Sequence, residues 1–251
     1  MFDHSSNSPN PTLSKGGCNL FETESAPTVQ HVKTDGSDKD VVNAARVSHN
    51  RSVSELSIKD TNLLGFLARN NHSSPFRHVG LTLRIRAPLM VARQHWRYAV
   101  GSAHHEGGSI DAWNEQSRRY TTEDITLYEP KKWRLKSPKH STGEEAGTSE
   151  SIWMQRQLKE LNDFSHTLYT MAIDKGIDPE QARLLLPGYA VMVSYIWSAS
   201  LQSLCHFLNE RLAEDAQAEI QEVARQVLPI VREEFPFSTR ELLSEETRDL
   251  D

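Results

Sequence analysis

The sequence predicts a domain that combines β-structure with several long α-helices, which is α/β in the broad sense. Val79, Leu81, Leu83 and Ile85 alternate with smaller or polar residues, the period-two pattern of a strand with one buried face. Residues 151–175 repeat apolar positions at helical spacing, through Leu158, Leu161, Ser165, Leu168 and Met171/Ala172. Residues 190–211 and 213–234 are apolar enough to predict two further helices, with a bend at Pro229 in the second.

The first part of the chain is predicted to pass from a flexible arm into helices. Residues 1–39 are rich in Ser, Asn, Pro, Thr and Asp, so we expect a flexible polar N-terminal arm in which only Val29–Val32 indicates a strand. A helix begins with Asp40 near its N-cap, and residues 59–70 form a second helix. Pro88 follows the strand and suits the first turn of a helix that carries Arg93 and Arg97 on one face.

The later boundaries follow from breaking and capping residues. Residues 136–150 are polar and predict a mobile loop. Asp178 and Pro179 suit the N-cap and first residue of a short helix that carries Arg183 and stops at Pro187. Residues 243–251 are predicted to be a frayed acidic C-terminal tail, which leaves residues 40–242 as a single domain.

Composition excludes several classes of protein. The 251 residues carry a net charge of −6, which argues against non-specific binding to nucleic acid. No apolar run approaches the length of a membrane span, and the N-terminus lacks a secretion signal. The two cysteines, Cys18 and Cys205, are not in a Cys-x-x-Cys arrangement, which disfavours a disulfide scaffold and a zinc ribbon. We therefore expect a cytoplasmic protein.

A polar, arginine-rich constellation between Ala92 and Tyr120 is the strongest functional signal. It reads Ala92-Arg93-Gln94-His95-Trp96-Arg97 and then, after a Gly-rich interruption, Asn114-Glu115-Gln116-Ser117-Arg118-Arg119-Tyr120. If the second stretch is extended, Glu115, Ser117 and Arg119 point the same way. Arginine forks and hydroxyl donors suit a small anion, and Asn209-Glu210-Arg211 can complete the arrangement. The alternative is a solvated charged face.

These residues give the chain a family resemblance. It resembles the flavin-dependent thymidylate synthases, which methylate dUMP with FAD, a reduced nicotinamide and methylene-tetrahydrofolate. The resemblance covers roughly residues 40–240 and is carried by several segments in order, namely Ala44-Ala45-Arg46-Val47-Ser48, His72-Ser73-Ser74-Pro75-Phe76, Ala92-Arg93-Gln94, Asn114–Tyr120, Ala182-Arg183-Leu184-Leu185-Leu186-Pro187 and Phe207-Leu208-Asn209-Glu210-Arg211. The fold that it implies is α+β, a curved, mostly antiparallel sheet packed with long helices.

The chain departs from the family signature in its first half. The family pattern is Arg-His-Arg-x-x-Ser followed closely by Asn-Glu-x-Ser-x-Arg. Here the first half reads Arg97-Tyr98-Ala99-Val100-Gly101-Ser102, and Ala103–Trp113 separates the two halves more widely than in the family. In the family the first half contacts flavin and folate, and the second half mainly holds the nucleotide. The resemblance therefore implies an intact nucleotide site and an altered cofactor site.

Site residues are implied position by position. The nucleotide site comprises Arg93, Gln94, Glu115, Ser117, Arg118, Arg119, Arg183 and Arg211. Residues expected to face flavin are Ser48, His72, Ser74, Arg97, Tyr98, Glu115 and His206, and weaker candidates for flavin or folate contacts are Ser200, Gln202 and Asp215. Catalysis is assigned to Ser117, as a positioning donor, and to Arg211, which stabilises negative charge on the pyrimidine. The family also implies a homotetramer with active sites shared between subunits.

Other functions remain open from the sequence. Relatives of this family methylate UMP in nucleoside-antibiotic biosynthesis, and no residue reports on the 2′ position of the sugar. A nucleotide-binding paralogue without catalysis would keep Ser117, Arg119 and Arg211 but fail to hold FAD. A cysteine-dependent thymidylate synthase would need an activated cysteine in the substrate pocket. His104-His105-Glu106 lacks a further ligand nearby, so no metal site is predicted.

Overall fold

A four-stranded antiparallel sheet forms the centre of the fold. The structure is a computed structural model and describes residues 21–98, 112–117, 119–120, 122, 124–136 and 143–250. The sheet has the strand order β2-β3-β6-β4, and every neighbouring pair is antiparallel. Its strands are β2 (Thr28–Asp35), β3 (Gly80–Pro88), β4 (Ala112–Glu115) and β6 (Met192–Ser200). A separate parallel pair is formed by β1 (Glu22–Glu24) and β5 (Thr126–Tyr128).

Nine α-helices in the described part of the chain surround this sheet. They are α1 (Asp38–Arg46), α2 (Ile58–Arg69), α3 (Leu89–Tyr98), α4 (Thr148–Asp174), α5 (Pro179–Ala182), α6 (Leu201–Arg211), α7 (Ala218–Glu234), α8 (Pro236–Leu242) and α9 (Glu245–Arg248). Short 3₁₀ turns occupy residues 47–49, 74–77, 183–185 and 188–190. The α+β class with a mainly antiparallel sheet is therefore confirmed. None of the described helices is both long and apolar enough to cross a bilayer.

Local sequence signals explain several of these boundaries. Leu81, Leu83 and Ile85 are fully buried, as the alternation in β3 predicts. The Asp178 carboxylate accepts a hydrogen bond from the Glu180 amide at 2.7 Å, which confirms Asp178 as the N-cap of α5. Pro88, by contrast, is the last residue of β3 rather than the first of a helix, and α3 begins at the next residue.

The helix predicted for residues 190–211 is wrong for its first half. Residues 192–200 form β6, the strand that pairs with both β3 and β4, and only residues 201–211 form a helix. Val193, Tyr195, Trp197 and Ala199 are buried at period two, and aromatic and β-branched residues favour a pleated surface. This alternation was obscured because the strand runs directly into the apolar helix α6.

The predicted arm and tail both need correction within the described residues. Residues 28–35 are not part of a flexible arm but form an edge strand, which pairs with β3. Helix α1 begins at Asp38, whose carboxylate accepts hydrogen bonds from the amides of Phe237 and Ser238, each at 2.9 Å. The acidic tail is packed as well, because Arg232 donates to the carbonyls of residues 247, 248 and 250.

Helix α4 does not bury the apolar face that its sequence predicts. It starts at Thr148, earlier than expected, and its buried residues are Asn162, Ser165 and Tyr169. In contrast, Leu161, Phe164 and Met171 are about half exposed, and Ile152 and Trp153 more so. Exposed apolar residues at this density commonly mark a surface that another molecule covers.

We predict that Gly80→Ala destabilises the sheet. A β-carbon at Gly80 would lie 2.1 Å from the carbonyl oxygen of Ala199 in the neighbouring strand, so the backbone of β3 or β6 must shift. Overpacking of this kind costs about 1–3 kcal/mol. Urea denaturation should show this loss in the free energy of unfolding. Gly188→Ala is the matched control, because nothing lies within 4 Å of its added β-carbon, and equal effects of the two substitutions would contradict the prediction.

Candidate active site

Helix α3 contributes to two sites that together contain most of the predicted site residues. The first has a volume of about 580 Å³ and is called the anion cavity here. Its lining includes three arginines, two carboxylates and a serine, namely Arg93, Arg119, Arg183, Glu115, Glu180 and Ser117. Five of the eight residues predicted to bind the nucleotide are therefore brought together in one cavity.

A turn at the end of β4 shapes the anion cavity. The strand ends at Glu115, so the condition of an extended stretch through Arg119 is not met. Tyr120 instead donates its amide to the carbonyl of Ser117 at 3.2 Å, which closes a turn. Within it the Arg119 Nε donates to the Ser117 Oγ at 3.1 Å. Glu115, Ser117 and Arg119 thus still face the same cavity, although through a turn rather than a strand.

Glu180 organises the arginines on the other side of the anion cavity. Its carboxylate lies 3.5 Å from the Arg119 guanidinium, and its carbonyl accepts a hydrogen bond from the Arg183 Nε at 3.1 Å. Both side chains of the ion pair are substantially exposed, so the pair is a weak one. The three arginines exceed the two carboxylates of the lining by one positive charge, which favours an anionic ligand.

The second site is also lined by residues of α3 and is called the arginine cleft here. It consists of two adjoining cavities, of about 780 and 660 Å³, that share Met90, Gln94, Arg211 and Gln217. Arg93, Arg97 and Tyr98 line the smaller one, so Arg93 contributes to both sites. Aromatic and charged side chains from distant segments line the larger one, including Tyr128, Lys132, Trp133, Arg134, Lys136, Tyr189, Asp215 and Glu219.

Arg211 is held in the cleft in an unusual environment. It is the last residue of α6 and is only 9% exposed. Its guanidinium carbon lies 3.6 Å from the centroid of the Tyr98 ring, so the two groups are stacked. The Arg211 Nε and the Gln94 Oε1 are buried, and neither has a hydrogen-bond partner among the described residues. Buried polar groups usually have partners, so this donor and this acceptor are suited to a ligand.

His95 anchors α3 behind this cleft. Its ring is fully buried, stacks on Phe207 at 4.4 Å and contacts the edges of Trp113 and Trp197. Its Nδ1 is hydrogen-bonded to the Tyr195 hydroxyl at 2.9 Å. Burial, reinforced by the positive charge of Arg211, lowers the pKa of His95 to about 3. The imidazole is therefore neutral and adds no charge next to Arg211.

The residues expected to face flavin do not all line one cavity. Arg97 and Tyr98 line the arginine cleft, and Glu115 lines the anion cavity. Four other residues, namely Ser48, His72, Ser74 and His206, are exposed and line none of the cavities described above. Ser74 and His206 lie on elements that pack together, since residues 74–77 contact α6.

The three weaker candidates have different environments. The Ser200 hydroxyl accepts a hydrogen bond from the Ser203 amide, which makes Ser200 the fully buried N-cap of α6. A direct contact between Ser200 and a cofactor is therefore wrong. Asp215 is exposed and lines the arginine cleft, and Gln202 is partly buried on α6. Arg118 and residues 99–111, which include most of the inserted segment, lie outside the described residues.

The buried cysteine and the candidate metal ligands bear on the chemistry of the site. Cys205 is buried in α6, and burial raises the pKa of its thiol well above the usual range, so the reactive thiolate is disfavoured. Within the described ranges, no group of three His, Cys, Asp or Glu residues is arranged to hold a metal ion. His104, His105 and Glu106 lie outside those ranges.

Sequence reasoning missed several residues of the site. Arg134 donates two hydrogen bonds of 2.8 Å to Glu219, which lies 85 residues later, and this pair forms one wall of the arginine cleft. These bonds lower the pKa of Glu219, although burial alone would raise it. No local motif identifies such a pair. Glu180 was adjacent to a recognised helix start, and its carbonyl and carboxylate could have been considered as partners for Arg183 and Arg119.

Comparison with known proteins gives a consistent result. The family model described as thymidylate synthase complementing protein matches residues 30–237. The flavin-dependent thymidylate synthase of Thermus thermophilus is 31% identical over 203 residues, covering 81% of this chain and 70% of that protein. The corresponding protein of Pseudothermotoga lettingae is 32% identical over 203 residues, covering 81% and 84%.

A solved structure agrees with these relatives. The UMP/dUMP methylase PolB from Streptomyces cacaoi, solved with 5-Br UMP and with 5-Br dUMP, superposes with a TM-score of 0.74 at 27% identity. The match covers 88% of this chain and 96% of that one. The family resemblance drawn from the sequence is therefore confirmed.

We predict that His95 makes the protein less stable in mild acid. The pKa of His95 is about 6.5 in the unfolded chain and about 3 in the folded protein. The stabilisation that the neutral His95 contributes is therefore fully present above pH 6.5 and is lost as the pH falls towards 3. Between pH 7.5 and 5.0 this residue alone should reduce the free energy of unfolding by about 2 kcal/mol. The measurement is urea denaturation of wild type and His95→Phe at both pH values. A loss of the same size in both proteins would contradict the prediction.

Proposed function

The chain belongs to the flavin-dependent thymidylate synthase family, and on this basis we propose that it methylates C5 of a uridine monophosphate. It is an enzyme of the thymidylate synthase type. The most direct assignment within the family is conversion of dUMP to dTMP. The alternative is methylation of UMP, and it is supported by the similarity to a methylase solved with analogues of both nucleotides.

The observation that carries this proposal is the pair of polar sites that α3 helps to line. The anion cavity, with Arg93, Arg119, Arg183 and Ser117, suits the phosphate of a nucleotide. The arginine cleft offers the N–H groups of Arg211 and the Oε1 of Gln94. A uracil ring has carbonyl acceptors next to an N–H donor, which complement these two side chains. Glu115 and Arg118 complete the proposed nucleotide set.

The proposed chemistry relies on Arg211 and needs no protein nucleophile. Its buried positive charge stabilises negative charge that develops on the pyrimidine ring. The Ser117 Oγ accepts a hydrogen bond from the Arg119 Nε, and we assign Ser117 the role of a positioning donor. The buried thiol of Cys205, whose pKa is raised, is unsuited to the cysteine-dependent mechanism.

The proposed flavin is FAD, with NADPH and methylene-tetrahydrofolate as co-substrates. We assign to it Arg97, the hydroxyls of Ser48 and Ser74, and the imidazoles of His72 and His206, because such donors suit a diphosphate and the polar edge of a flavin. When bound, reduced flavin supplies the hydride that the methylation requires. The protein residues of this set bind and orient the cofactor against the arginine cleft.

The proposed assembly is a homotetramer in which two subunits share each active site. The anion cavity and the arginine cleft are separate cavities that both border α3 and share Arg93. Three large apolar residues are exposed next to residues that line the cavities, with Leu184 at 83%, Tyr120 at 78% and Tyr189 at 74%. Together with the exposed apolar face of α4, they form surfaces that neighbouring subunits would cover.

The first test is release of tritium from C5-labelled dUMP and, in parallel, from C5-labelled UMP, with FAD, NADPH and methylene-tetrahydrofolate supplied. We expect release that depends on all three. A preference for UMP would support the alternative substrate, and a protein that binds nucleotide without release would be a non-catalytic paralogue.

Arg183→Ala should reduce kcat/KM by about 10- to 100-fold through lost phosphate contacts. Arg225→Ala, which removes an exposed arginine that lines neither site, is the control.

The shared site can be tested by mixing inactive variants. Arg183→Ala disables the anion cavity and Arg211→Ala disables the arginine cleft. If each active site takes one half from each of two subunits, hybrids assembled from an equal mixture should recover about a quarter of wild-type activity. The variants are denatured together, refolded and assayed for tritium release. Activity no greater than that of the separate variants would show that both halves belong to one chain.

A further inference from the structure

We propose that Tyr98 is a positioning residue that holds the guanidinium of Arg211 in its binding orientation. This inference rests on the proposed function, because the ligand of Arg211 is taken to be the uracil of a nucleotide. It moves Tyr98 from the cofactor set, in which the resemblance places it, to the nucleotide side of the active site. The substrate-contacting group remains Arg211, and Tyr98 acts through it.

The contact between the two side chains is close and well enclosed. The guanidinium carbon of Arg211 lies 3.6 Å from the centroid of the Tyr98 ring, a van der Waals stacking distance. Tyr98 ends α3 and Arg211 ends α6, so the contact joins the ends of two helices. Tyr98 also packs against the hydrophobic core, which restrains its ring. The ring is thus a fixed surface rather than a mobile one.

Arg211 has no carboxylate partner among the described residues. Of the two carboxylates that line the same cleft, Glu219 is bound by Arg134 and Gln217, and Asp215 is exposed. The histidine behind the cleft, His95, is neutral. The face of Tyr98 is therefore the principal favourable contact of a nearly buried cation.

An aromatic face holds an arginine differently from a carboxylate. The five N–H groups of a guanidinium lie in its plane, so a bidentate carboxylate occupies two of them and neutralises the charge. A ring stacked on the plane occupies none and leaves the charge in place. Tyr98 can therefore fix the orientation of Arg211 while its in-plane donors and its charge stay available to the pyrimidine. The unpartnered Nε agrees with this arrangement.

The first experiment compares Tyr98→Phe with Tyr98→Leu in the full-length protein. Affinity for dUMP and UMP is measured by isothermal titration calorimetry, and turnover by tritium release. Phe keeps the ring face, so its affinity should stay within about twofold of wild type. Leu removes a contact of about 1–2 kcal/mol and should weaken nucleotide binding about 5- to 30-fold. Equal affinity in the Phe and Leu variants would overturn the proposal.

A graded series separates electrostatic positioning from simple packing. Phe, 4-fluorophenylalanine and 3,5-difluorophenylalanine at position 98 have nearly the same shape, but fluorine progressively withdraws electron density from the ring face. Nucleotide affinity should fall step by step along the series, because the cation is attracted by that density. A flat series would overturn the proposal. All members retain an aromatic ring, so this test stands even if Tyr98→Leu fails to fold.

A double-mutant cycle links the effect to Arg211. In an Arg211→Ala background, Tyr98→Leu should change nucleotide affinity by less than about twofold, because its partner is gone. A full effect in that background would overturn the proposal.

The same measurements distinguish a failure of the proposed function from a failure of the role of Tyr98. A wild-type protein that binds neither nucleotide contradicts both, whereas wild-type binding with an unchanged Leu variant and a flat fluorine series contradicts only the role of Tyr98.

Discussion

The position of the whole site depends on the insertion of His95 into an aromatic box. Phe207 from α6, Trp113 from β4, and Tyr195 and Trp197 from β6 surround this one imidazole. The box fastens α3 to three other elements, and each of them carries or adjoins a site residue. Arg93 and Gln94 precede His95 directly, so the rotation of α3 that buries His95 also directs them to the two cavities. Packing of the core therefore determines the geometry of binding.

The same box has an electrostatic consequence. Burial keeps His95 neutral, so its ring adds no further positive charge next to Arg211. The π face of Tyr98 then contacts Arg211 without cancelling its charge. A nearly buried arginine with unused donors is costly for a folded protein, and such cost is commonly retained where a ligand later supplies the missing partner. The anion cavity differs, because there the exposed carboxylate of Glu180 pairs with Arg119.

The sequence correctly predicted those secondary-structure elements whose identifying residues lie close together in the chain. The alternation of β3 and the cap at Asp178 each involve residues within a few positions of one another, and both were correctly predicted. Strand β6 was not, because its alternation merges with an apolar helix. Edge strand β2 was predicted only in part, as Val29–Val32, because polar residues on its exposed positions resemble those of a flexible arm. The motifs gave most residues of the anion cavity, but Arg134 with Glu219, and Tyr98 with Arg211, meet only through tertiary packing.

The departure of this chain from the family signature is informative in this light. At position 98 the resemblance leads one to expect histidine, and the chain has tyrosine stacked on Arg211. Both side chains offer an aromatic face, but histidine takes up a proton near pH 6.5, and a protonated ring would repel the guanidinium. Tyrosine presents its ring face without an imidazole. The substitution is thus compatible with an intact nucleotide side of the site, in which the guanidinium of Arg211 lies over the Tyr98 ring.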